Sequence, residues 1–329
     1  AVCAALAEGL RRVWPDAVLR HCPMADGGEG TLDAVLAAAG SAGTRRVQRV
    51  RGAGGAPIEA AYGILGDADG ATAVLEIAQV VPITDPAAMS RPVGERDTRG
   101  VGELVAALLD AGVRRFMVGL GGSSTNDGGA GMLAALGMRL TDARGQPVAP
   151  TPVGLAALAS VDAANLDPRL AACSITVMSD VNNPLAGARG ATAIFGPQKG
   201  VAGDELERFD AAIARFAALA EAALGVSAAM RPGAGAAGGL GFALQAIGGA
   251  FRSGAEVVAD LVGLDRALAG ADWVLTGEGR TDAQTLLAKT PFVVAQRARA
   301  AGVPATLVCG AVDPAALAAL GEHFAGAFA

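Results

Sequence analysis

Short apolar strands alternate with helical segments along most of this chain, and this alternation constrains its fold more than any other feature. Four segments have the length and apolar composition of buried strands, namely RRFMVGL, SITVMSD, DWVLTG and PATLVCGA. Strands separated by helices are typical of a parallel, doubly wound sheet. We therefore predict an α/β fold. A length of 329 residues usually corresponds to two domains, although one large α/β unit is also compatible with it.

The other periodic segments predict helices and one hairpin. Apolar residues at helical spacing predict helices over residues 101–109, 205–224 and 282–300, and also over AGMLAALGMRL and LGFALQAIGGAF. The strands EAAYGIL and ATAVLEIA flank GDADG, whose composition suits a hairpin turn. The chain opens within the helical segment AVCAALAEGLRRVWP, which leads us to expect a further element upstream.

Composition argues against several classes of protein. The net charge is −6 and no basic patch is interleaved with aromatic residues, so we expect no nucleic acid partner. Two histidines are too few for a histidine-rich metal site. No apolar run reaches the roughly 18 residues of a membrane helix, and no signal peptide is recognisable. The scattered cysteines indicate reduced thiols in a cytoplasmic protein; they are Cys3, Cys22, Cys173 and Cys309.

Three polar segments that contain glycine follow predicted strands. GLGGSSTNDGGAG follows FMVGL, VNNPLAG follows ITVM and Asp180, and GEGRTD follows WVLT. In doubly wound sheets, ligands bind outside the carboxyl ends of the strands. We therefore expect the three segments to meet at one edge of one sheet and to form a ligand site there.

The segment 119–131 has the composition of an anion-binding loop. Its glycines allow backbone N–H groups to converge on an anion, and its hydroxyls add further donors. Asp127 is a candidate metal ligand. The alternative is a strand-to-helix turn in which Asn126 or Asp127 caps the helix. The residues that we expect to contact the ligand are Gly121, Gly122, Ser123, Ser124, Thr125 and Asn126.

Two more residues are candidates for phosphate chemistry. Asp180 at a predicted strand end could orient Mg²⁺ or accept a hydroxyl proton, and the alternative is an Asx-turn that ends the strand. Lys199 lies between Pro197 and Gly200, where a tight turn would hold its ammonium group against phosphates. The alternative for Lys199 is an ordinary solvated lysine in a loop.

Two charged segments complete the set of candidates. Arg280 in TGEGRTDAQTLLAKTP could clamp a carboxylate or phosphate with two hydrogen bonds. The alternative is that Arg280 forms a local ion-pair cluster with Glu278 and Asp282, and exposed ion pairs of this kind contribute little to stability. The segment MADGGEGT provides Asp26 and Glu29 as further candidate site residues. The alternative is that this segment only caps the start of a helix.

The familiar nucleotide-binding fingerprints do not fit this chain. A G-x-G-x-x-G match in PGAGAAGG follows a helix and a loop where the fingerprint requires a strand, and no G-x-x-x-x-G-K-[ST] segment occurs. The remaining candidates suit phosphoryl transfer. That chemistry needs positioned donors, cations and a metal-holding acid more than it needs a covalent nucleophile.

Five long segments resemble the signature segments of the bacterial glycerate kinase family, of the glycerate 2-kinase type. They occur in the family's order and span nearly the whole chain; they are CPMADGGEGT, GLGGSSTNDGGAGM, DVNNPLAGARGATAIFGPQKG, PGAGAAGGLGF and TGEGRTDAQTLLAKTP. The resemblance implies transfer of the γ-phosphoryl group of ATP, with Mg²⁺, to D-glycerate, most often to give 2-phosphoglycerate. The family usually begins with a strand that ends in an Asp-Ser-Phe-Lys-Gly-like segment, and the first residue here corresponds to a point after it.

The resemblance also implies two α/β domains with the active site in the cleft between them. One is flavodoxin-like and is expected over residues 58–287. The other is restriction-enzyme-like, is built from both chain ends, and is expected over residues 1–57 and 288–329.

On this hypothesis each loop has an expected role. Asp180 accepts the glycerate hydroxyl proton or orients Mg²⁺, Lys199 neutralises developing charge, and Arg280 holds the glycerate carboxylate. The other expected site residues are Asp282 in catalysis, Asp26, Glu29 and Lys289 in substrate binding, and Asp127 and Glu278 as metal ligands.

Two alternatives use the same anion-binding edge. A phosphatase or another sugar-acid kinase would differ in its substrate, which substrate screening would reveal. A truncated remnant that only binds small anions would show saturable binding without consumption of ATP.

Overall fold

The chain forms two compact units in the computed structural model, which describes residues 2–67, 70–281 and 289–329. The first unit comprises Ala1–Asp26, Asp33–Gly40 and Ser253–Ala329, so both ends of the chain contribute to it. The second unit comprises Gly27–Leu32 and Ser41–Arg252. These limits differ from the expected boundaries at 57/58 and 287/288. A boundary after residue 57 would cut a ladder, because residues 43–51 pair with residues 57–65.

The helices of the described residues are mostly short. Within that part of the chain, none is both long and apolar enough to cross a membrane. In chain order they are α1 (Val2–Val13), α2 (Thr31–Ala39), α3 (Pro86–Met89), α4 (Arg99–Asp110), α5 (Ala130–Ala135), α6 (Pro152–Leu155), α7 (Ala191–Lys199), α8 (Glu205–Leu224), α9 (Leu240–Ala246), α10 (Gly254–Leu261), α11 (Leu264–Leu268), α12 (Thr290–Ala300) and α13 (Leu317–Leu320).

The strands form separate sheets in the two units. In chain order they are β1 (Gly43–Arg51), β2 (Pro57–Asp67), β3 (Gly70–Glu76), β4 (Arg115–Gly119), β5 (Arg139–Thr141), β6 (Ser160–Asp162), β7 (Ser174–Met178), β8 (Ala250–Arg252), β9 (Val274–Glu278), β10 (Ala305–Cys309) and β11 (Gly326–Phe328). The second unit contains a six-stranded sheet of order β1-β2-β3-β4-β7-β8 and the small ladder β5-β6. The first unit contains a sheet of order β11-β10-β9.

The six-stranded sheet is mixed. Strands β3, β4, β7 and β8 run parallel, whereas β1, β2 and β3 pair antiparallel in sequence order. The α/β fold class is confirmed, and the hairpin predicted around GDADG is confirmed by the β2–β3 pairing. Only a few residues connect β1 to β2 and β2 to β3. Such short connections suffice for antiparallel hairpins, whereas neighbouring parallel strands need a long crossover. The apolar core of this unit includes Phe216 and Phe242, which meet edge to face at 6.1 Å.

The first unit has its own sheet and its own apolar core. Strand β10 pairs in parallel with β9 and with β11, and its buried residue Leu307 belongs to a core that also includes Val294 and Phe324. The prediction that WVLT would deliver GEGRTD to the same sheet edge as the other two segments is therefore wrong. The last three residues of WVLT begin β9, which belongs to the three-stranded sheet of the first unit. Apolar periodicity does not reveal which sheet a strand joins.

Several predicted helices are shorter than expected. Helix α8 spans the predicted residues 205–224, but AGMLAALGMRL and LGFALQAIGGAF each contain a short helix followed by a short strand. Both helices end before a glycine with positive φ, Gly137 at 109° and Gly248 at 94°. Such glycines end helices because they adopt the left-handed conformation without a Cβ clash. Helix α12 begins at Thr290, and the predicted start at Asp282 lies outside the described residues.

Candidate functional site

The carboxyl ends of three parallel strands of the second unit lie side by side. Glu76 at the end of β3 is in register with Gly119 at the end of β4, and Gly119 is in register with Met178 at the end of β7. The chain continues from β4 into residues 120–131 and from β7 towards Asp180. Two of the three polar segments predicted to share a sheet edge therefore do so.

The glycine-rich loop of residues 27–30 packs against these strand ends. A Cβ atom on Gly27 would stand 2.4 Å from the carbonyl oxygen of Met178, and one on Gly121 would stand 2.4 Å from the Cα atom of Gly28. Gly121 donates its N–H to the carbonyl oxygen of Gly27 at 3.0 Å. Glycine is needed at both contacts because the backbones approach more closely than a side chain allows.

Glu76 connects the sheet edge to the start of α2. Its buried carboxylate accepts the N–H of Gly30 at 3.3 Å and the N–H of Leu32 at 3.1 Å. A carboxylate that accepts N–H groups of a first helical turn stabilises that turn. Sequence reasoning missed Glu76, because ATAVLEIA presents it as an ordinary strand residue. Glu29, which is expected to bind substrate, is exposed in the same glycine-rich loop.

Residues 123–127, called here the Ser–Thr loop, are almost completely buried. Ser123 exposes 6% of its surface and the four residues after it expose none. Ser124 donates its N–H and its Oγ to the carbonyl oxygen of Val81, at 2.8 and 3.0 Å. Asn126 donates Nδ2 to Thr192 Oγ1 at 3.0 Å, near the start of α7. Hydrogen bonds from surrounding elements therefore fix the conformation of this loop.

Asp127 ties the end of the Ser–Thr loop to two helices. Its Oδ2 accepts hydrogen bonds from Thr98 N, Thr98 Oγ1 and Gly131 N, and its Oδ1 accepts one from Gly129 N. Burial, followed by the nearby Asp97 carboxylate, raises the pKa of Asp127 to about 6. Because its oxygens already accept four hydrogen bonds, the geometry favours the alternative in which Asp127 holds a helix start.

No metal cluster of the usual kind is present in the described ranges. Within residues 2–67, 70–281 and 289–329, no three His, Cys, Asp or Glu side chains are arranged to hold a metal ion. Mg²⁺ is commonly held by one or two carboxylates together with substrate phosphates, so this finding does not bear against it. The metal roles of Asp127 and Glu278 stay predictions.

Lys199 lies beneath the Ser–Thr loop with only 1% of its surface exposed. Its Nζ donates to Thr125 O at 2.7 Å and to Ser123 Oγ at 2.9 Å. Burial lowers the pKa of Lys199 to about 7; Asp127 opposes this shift and Arg96 adds to it. The expected tight turn is wrong, because Lys199 is the last residue of α7 and Gly200, at φ 100°, ends the helix.

Arg96 is a second buried cation at the Ser–Thr loop, with 2% of its surface exposed. Its Nη1 donates to Ser124 O at 3.0 Å and to Lys199 O at 3.1 Å. Its Nε and Nη2 donate to the carbonyl oxygen of Arg91. Sequence reasoning missed Arg96, because RPVGERDTRG is polar and reads as a solvated surface segment. Only the tertiary structure shows that this arginine is buried.

The buried ammonium group predicts a pH dependence of stability. Because the pKa of Lys199 falls from 10.5 to about 7 on folding, the unfolded chain binds a proton that the folded chain lacks between these values. The free energy of unfolding of the parent chain should therefore rise relative to that of Lys199→Met as pH rises through this window. The slope of the difference should approach, at most, about 1.4 kcal/mol per pH unit. Urea unfolding of both variants at pH 7, 8 and 9 measures this slope, and a pH-independent difference would contradict the lowered pKa of Lys199.

A third glycine-rich segment packs on the Ser–Thr loop. A Cβ atom on Gly238 would stand 2.0 Å from Thr125 O and 2.8 Å from the Cα atom of Asn126. The carbonyl oxygen of Gly238 accepts the N–H of Gly128 at 2.9 Å. Gly238 of PGAGAAGG therefore packs its backbone closely against the Ser–Thr loop and supports it.

The remaining predicted site residues belong to the first unit or lie outside the described residues. Glu278 ends β9 and accepts a hydrogen bond from Thr281 Oγ1 at 3.0 Å. Arg280 is exposed, and Lys289 immediately precedes α12. Asp282 falls within residues 282–288, outside the described ranges, and Asp26 is the last residue of the first segment of this unit. Their expected roles stay predictions.

A cavity of about 720 Å³ lies within the first unit, between α1, α11 and β9. Apolar side chains, including Trp14 and Trp273, form much of its wall, and none of the predicted site residues lines it. Its size alone does not make it the active site, because phosphate chemistry needs convergent polar donors. The polar sheet edge of the second unit remains the better candidate.

Polar glycine-rich loops at the carboxyl ends of parallel strands define a ligand-binding α/β protein. The buried cations and hydroxyls at this edge further suit a protein that handles anionic groups. The chain belongs to the glycerate kinase family, whose model matches residues 1–329. It is therefore an enzyme of the kinase class, and the resemblance found in the sequence is confirmed.

Named relatives support this assignment. The chain is 43% identical over 315 residues to a glycerate kinase of Bacillus subtilis strain 168, covering 94% of this chain and 80% of the relative. It is 40% identical over 312 residues to the glycerate 2-kinase of Escherichia coli strain K12, covering 94% and 81%. A crystal structure described as a glycerate kinase 2 from Salmonella typhimurium LT2 superposes with a TM-score of 0.82 at 42% identity. That match covers 99% of this chain and 84% of the other.

Proposed function

We propose that this chain catalyses ATP-dependent phosphorylation of D-glycerate to 2-phosphoglycerate, with the help of Mg²⁺. Family membership and the relative named glycerate 2-kinase support the substrate and the position of transfer. The structural observation that carries the proposal is the Ser–Thr loop, which stands at the carboxyl ends of parallel strands above two buried cations. Phosphoryl transfer depends chiefly on such positioned donors and charges.

Residues of the second unit would bind the phosphates and handle the proton. Gly122 is partly exposed at the start of the loop, and its N–H would bind a phosphate, whereas the N–H of Gly121 already donates to Gly27 O. Thr125 and Asn126 of the Ser–Thr loop would add further N–H donors. Asp180 is partly exposed just beyond β7, where its carboxylate would accept the proton of the glycerate hydroxyl. A carboxylate at this position also fits the alternative role of holding Mg²⁺, which supplies charge neutralisation at phosphate oxygens when it is bound.

Several charged residues would recognise the acid substrate. Arg280 would hold the glycerate carboxylate, because a guanidinium group matches a carboxylate with two hydrogen bonds. Asp26, Glu29 and Lys289 remain proposed substrate-binding residues, and Asp282 remains a proposed catalytic residue. An Arg280→Lys variant would test the first of these roles by its KM for D-glycerate.

The deciding experiment is a coupled assay of ADP release. The chain is incubated with MgATP, with and without D-glycerate, and the product is identified by NMR. We expect D-glycerate-dependent ADP release and 2-phosphoglycerate, and we expect excess EDTA to abolish both. Matched samples with L-glycerate and with other sugar acids test substrate choice.

Each alternative predicts a different outcome of the same experiment. A phosphatase would release inorganic phosphate from 2-phosphoglycerate without ATP. A protein that only binds anions would bind D-glycerate or ATP saturably and release no ADP. Either result, from a cooperatively folded sample, would contradict the proposed function.

A further inference from the structure

Two consecutive peptide groups of the Ser–Thr loop are each held by a buried cation. Arg96 donates to the carbonyl oxygen of Ser124 at 3.0 Å, and Lys199 donates to the carbonyl oxygen of Thr125 at 2.7 Å. Both cations are almost fully buried and are anchored on other elements, since Lys199 ends α7 and Arg96 also binds the carbonyl oxygen of Arg91. Charged donors make stronger hydrogen bonds than neutral donors, so the two carbonyl directions are well fixed.

The carbonyl directions fix the N–H directions. No peptide bond in the described residues is cis, and in a planar trans peptide the N–H points away from the carbonyl oxygen of the same group. The N–H groups of Thr125 and Asn126 therefore point away from Arg96 and Lys199. Neither N–H has a hydrogen-bond partner within the part of the chain that the structure describes.

Two side-chain atoms of the same residues also lack partners. Thr125 Oγ1 and Asn126 Oδ1 are buried and make no hydrogen bond in the described part of the chain. Buried polar groups without partners are rare in native proteins, because each costs free energy comparable to a lost hydrogen bond. Such groups clustered in one loop point to a ligand that supplies the missing partners.

The charge beneath the loop matches an anionic ligand. Arg96 is always charged, and Lys199, whose pKa is lowered to about 7, carries part of a second positive charge at neutral pH; Asp127 is the carboxylate that interacts with Lys199. Asp97 near Asp127 has its own arginine partner, since Arg99 lies 3.5 Å from it. The positive charge under the Ser–Thr loop therefore exceeds the negative charge at neutral pH, and a bound anion would favour the protonated form of Lys199, so the site suits a phosphate better than a neutral ligand.

We infer that Arg96 and Lys199 are positioning residues for phosphate binding, and that the N–H groups of Thr125 and Asn126 and the hydroxyl of Thr125 bind the phosphates of the nucleotide. This inference rests on the proposed function. The phosphate would enter from the partly exposed Gly121 and Gly122 end of the loop. Because the Lys199 ammonium group already donates to Ser123 Oγ and Thr125 O, it acts on the phosphate through these residues.

Thr125→Val tests the inference without removing any hydrogen bond of the ligand-free protein. Valine keeps the shape of threonine, and the hydroxyl that it removes has no partner. We expect the Tm to stay the same or to rise, while the Kd for MgADP, measured by calorimetry, rises at least about 10-fold, as expected for loss of a hydrogen bond to a charged group. An unchanged Kd for MgADP would overturn the inference and would assign the unpaired hydroxyl to buried water.

Lys199→Met tests the positioning role, with Arg169→Met as its control. Arg169 is in the same unit and forms ion pairs with Asp167 and Asp110, neither of which belongs to the Ser–Thr loop. We expect Lys199→Met to raise the KM for ATP at least about 10-fold and to change the KM for D-glycerate by less than about two-fold. The control should lower the Tm without changing either KM. Equal changes in both KM values for Lys199→Met would overturn the positioning role.

The two levels of the hypothesis fail in different ways. If the parent chain releases no ADP in the presence of D-glycerate, the proposed function is wrong. If the parent chain turns over and Thr125→Val binds MgADP as tightly as the parent does, only the inference about the Ser–Thr loop is wrong. Should Lys199→Met fail to fold, Thr125→Val still decides the inference, because that substitution conserves shape.

Discussion

Asp180→Asn is expected to lower kcat by about 10²- to 10⁴-fold, the usual contribution of a positioned general base. Asparagine has nearly the same shape as aspartate but accepts no proton at neutral pH. Asp180 lies just beyond β7, and the end of β7 is in register with the end of β4, which leads into the Ser–Thr loop. The substitution therefore removes a carboxylate from the same sheet edge. Steady-state kinetics with saturating MgATP and D-glycerate measure the effect.

Asp162→Asn is the matched control for this prediction. It is the same substitution on an exposed carboxylate at the end of β6 in the same unit. We expect kcat for the control to lie within about two-fold of the parent value. Full turnover by Asp180→Asn would rule out the role of Asp180 both as the base and as an essential magnesium ligand.

Gly238→Ala is expected to destabilise the second unit by about 3 kcal/mol or more and to abolish most of the activity. The new Cβ atom would stand 2.0 Å from Thr125 O, and Gly238 itself has φ 66°. Both the carbonyl and the neighbouring Cα atom of Asn126 belong to the backbone, so no side-chain rotation can relieve the overlap. The Ser–Thr loop must shift and lose its contact with Lys199.

Gly225→Ala separates the steric effect from the effect of backbone conformation. Gly225 also has φ 66°, but no atom lies within 4 Å of the position of its Cβ atom. We expect this control to cost about 1 kcal/mol from the left-handed conformation alone and to keep the parent KM for ATP. Urea unfolding and steady-state kinetics compare the two variants. Equal losses of stability and activity would show that the packing of Gly238 on the loop is unimportant.

Local periodicity was sufficient to locate the strands that form the sheet edge. RRFMVGL and SITVMSD contain β4 and β7, because each is a short apolar run bounded by polar or glycine-rich residues. The assignment of WVLT to the same edge failed, since β9 pairs with β10 in another sheet. Which strands pair depends on contacts between distant parts of the chain. The sequence of a single segment therefore does not predict its partner strand.

The residues around the Ser–Thr loop were predicted less completely. Pro197 next to a glycine usually marks a turn, but here it lies in the last helical turn of α7, which places Lys199 under the loop. The helix-cap alternative considered for Asp127 agrees with its four hydrogen bonds to the starts of α4 and α5. Arg96 and Glu76 could not be selected from the sequence, because burial of a charged side chain is a tertiary property.

The most direct test of the account is a crystal structure of this chain with a non-hydrolysable ATP analogue, Mg²⁺ and D-glycerate. We predict phosphate oxygens within about 3.2 Å of the backbone N–H groups of Thr125 and Asn126. The glycerate hydroxyl should lie within hydrogen-bond reach of the Asp180 carboxylate or share a Mg²⁺ ion with it. Phosphates bound elsewhere, with the N–H groups of Thr125 and Asn126 unoccupied or bound only to water, would contradict the central claim.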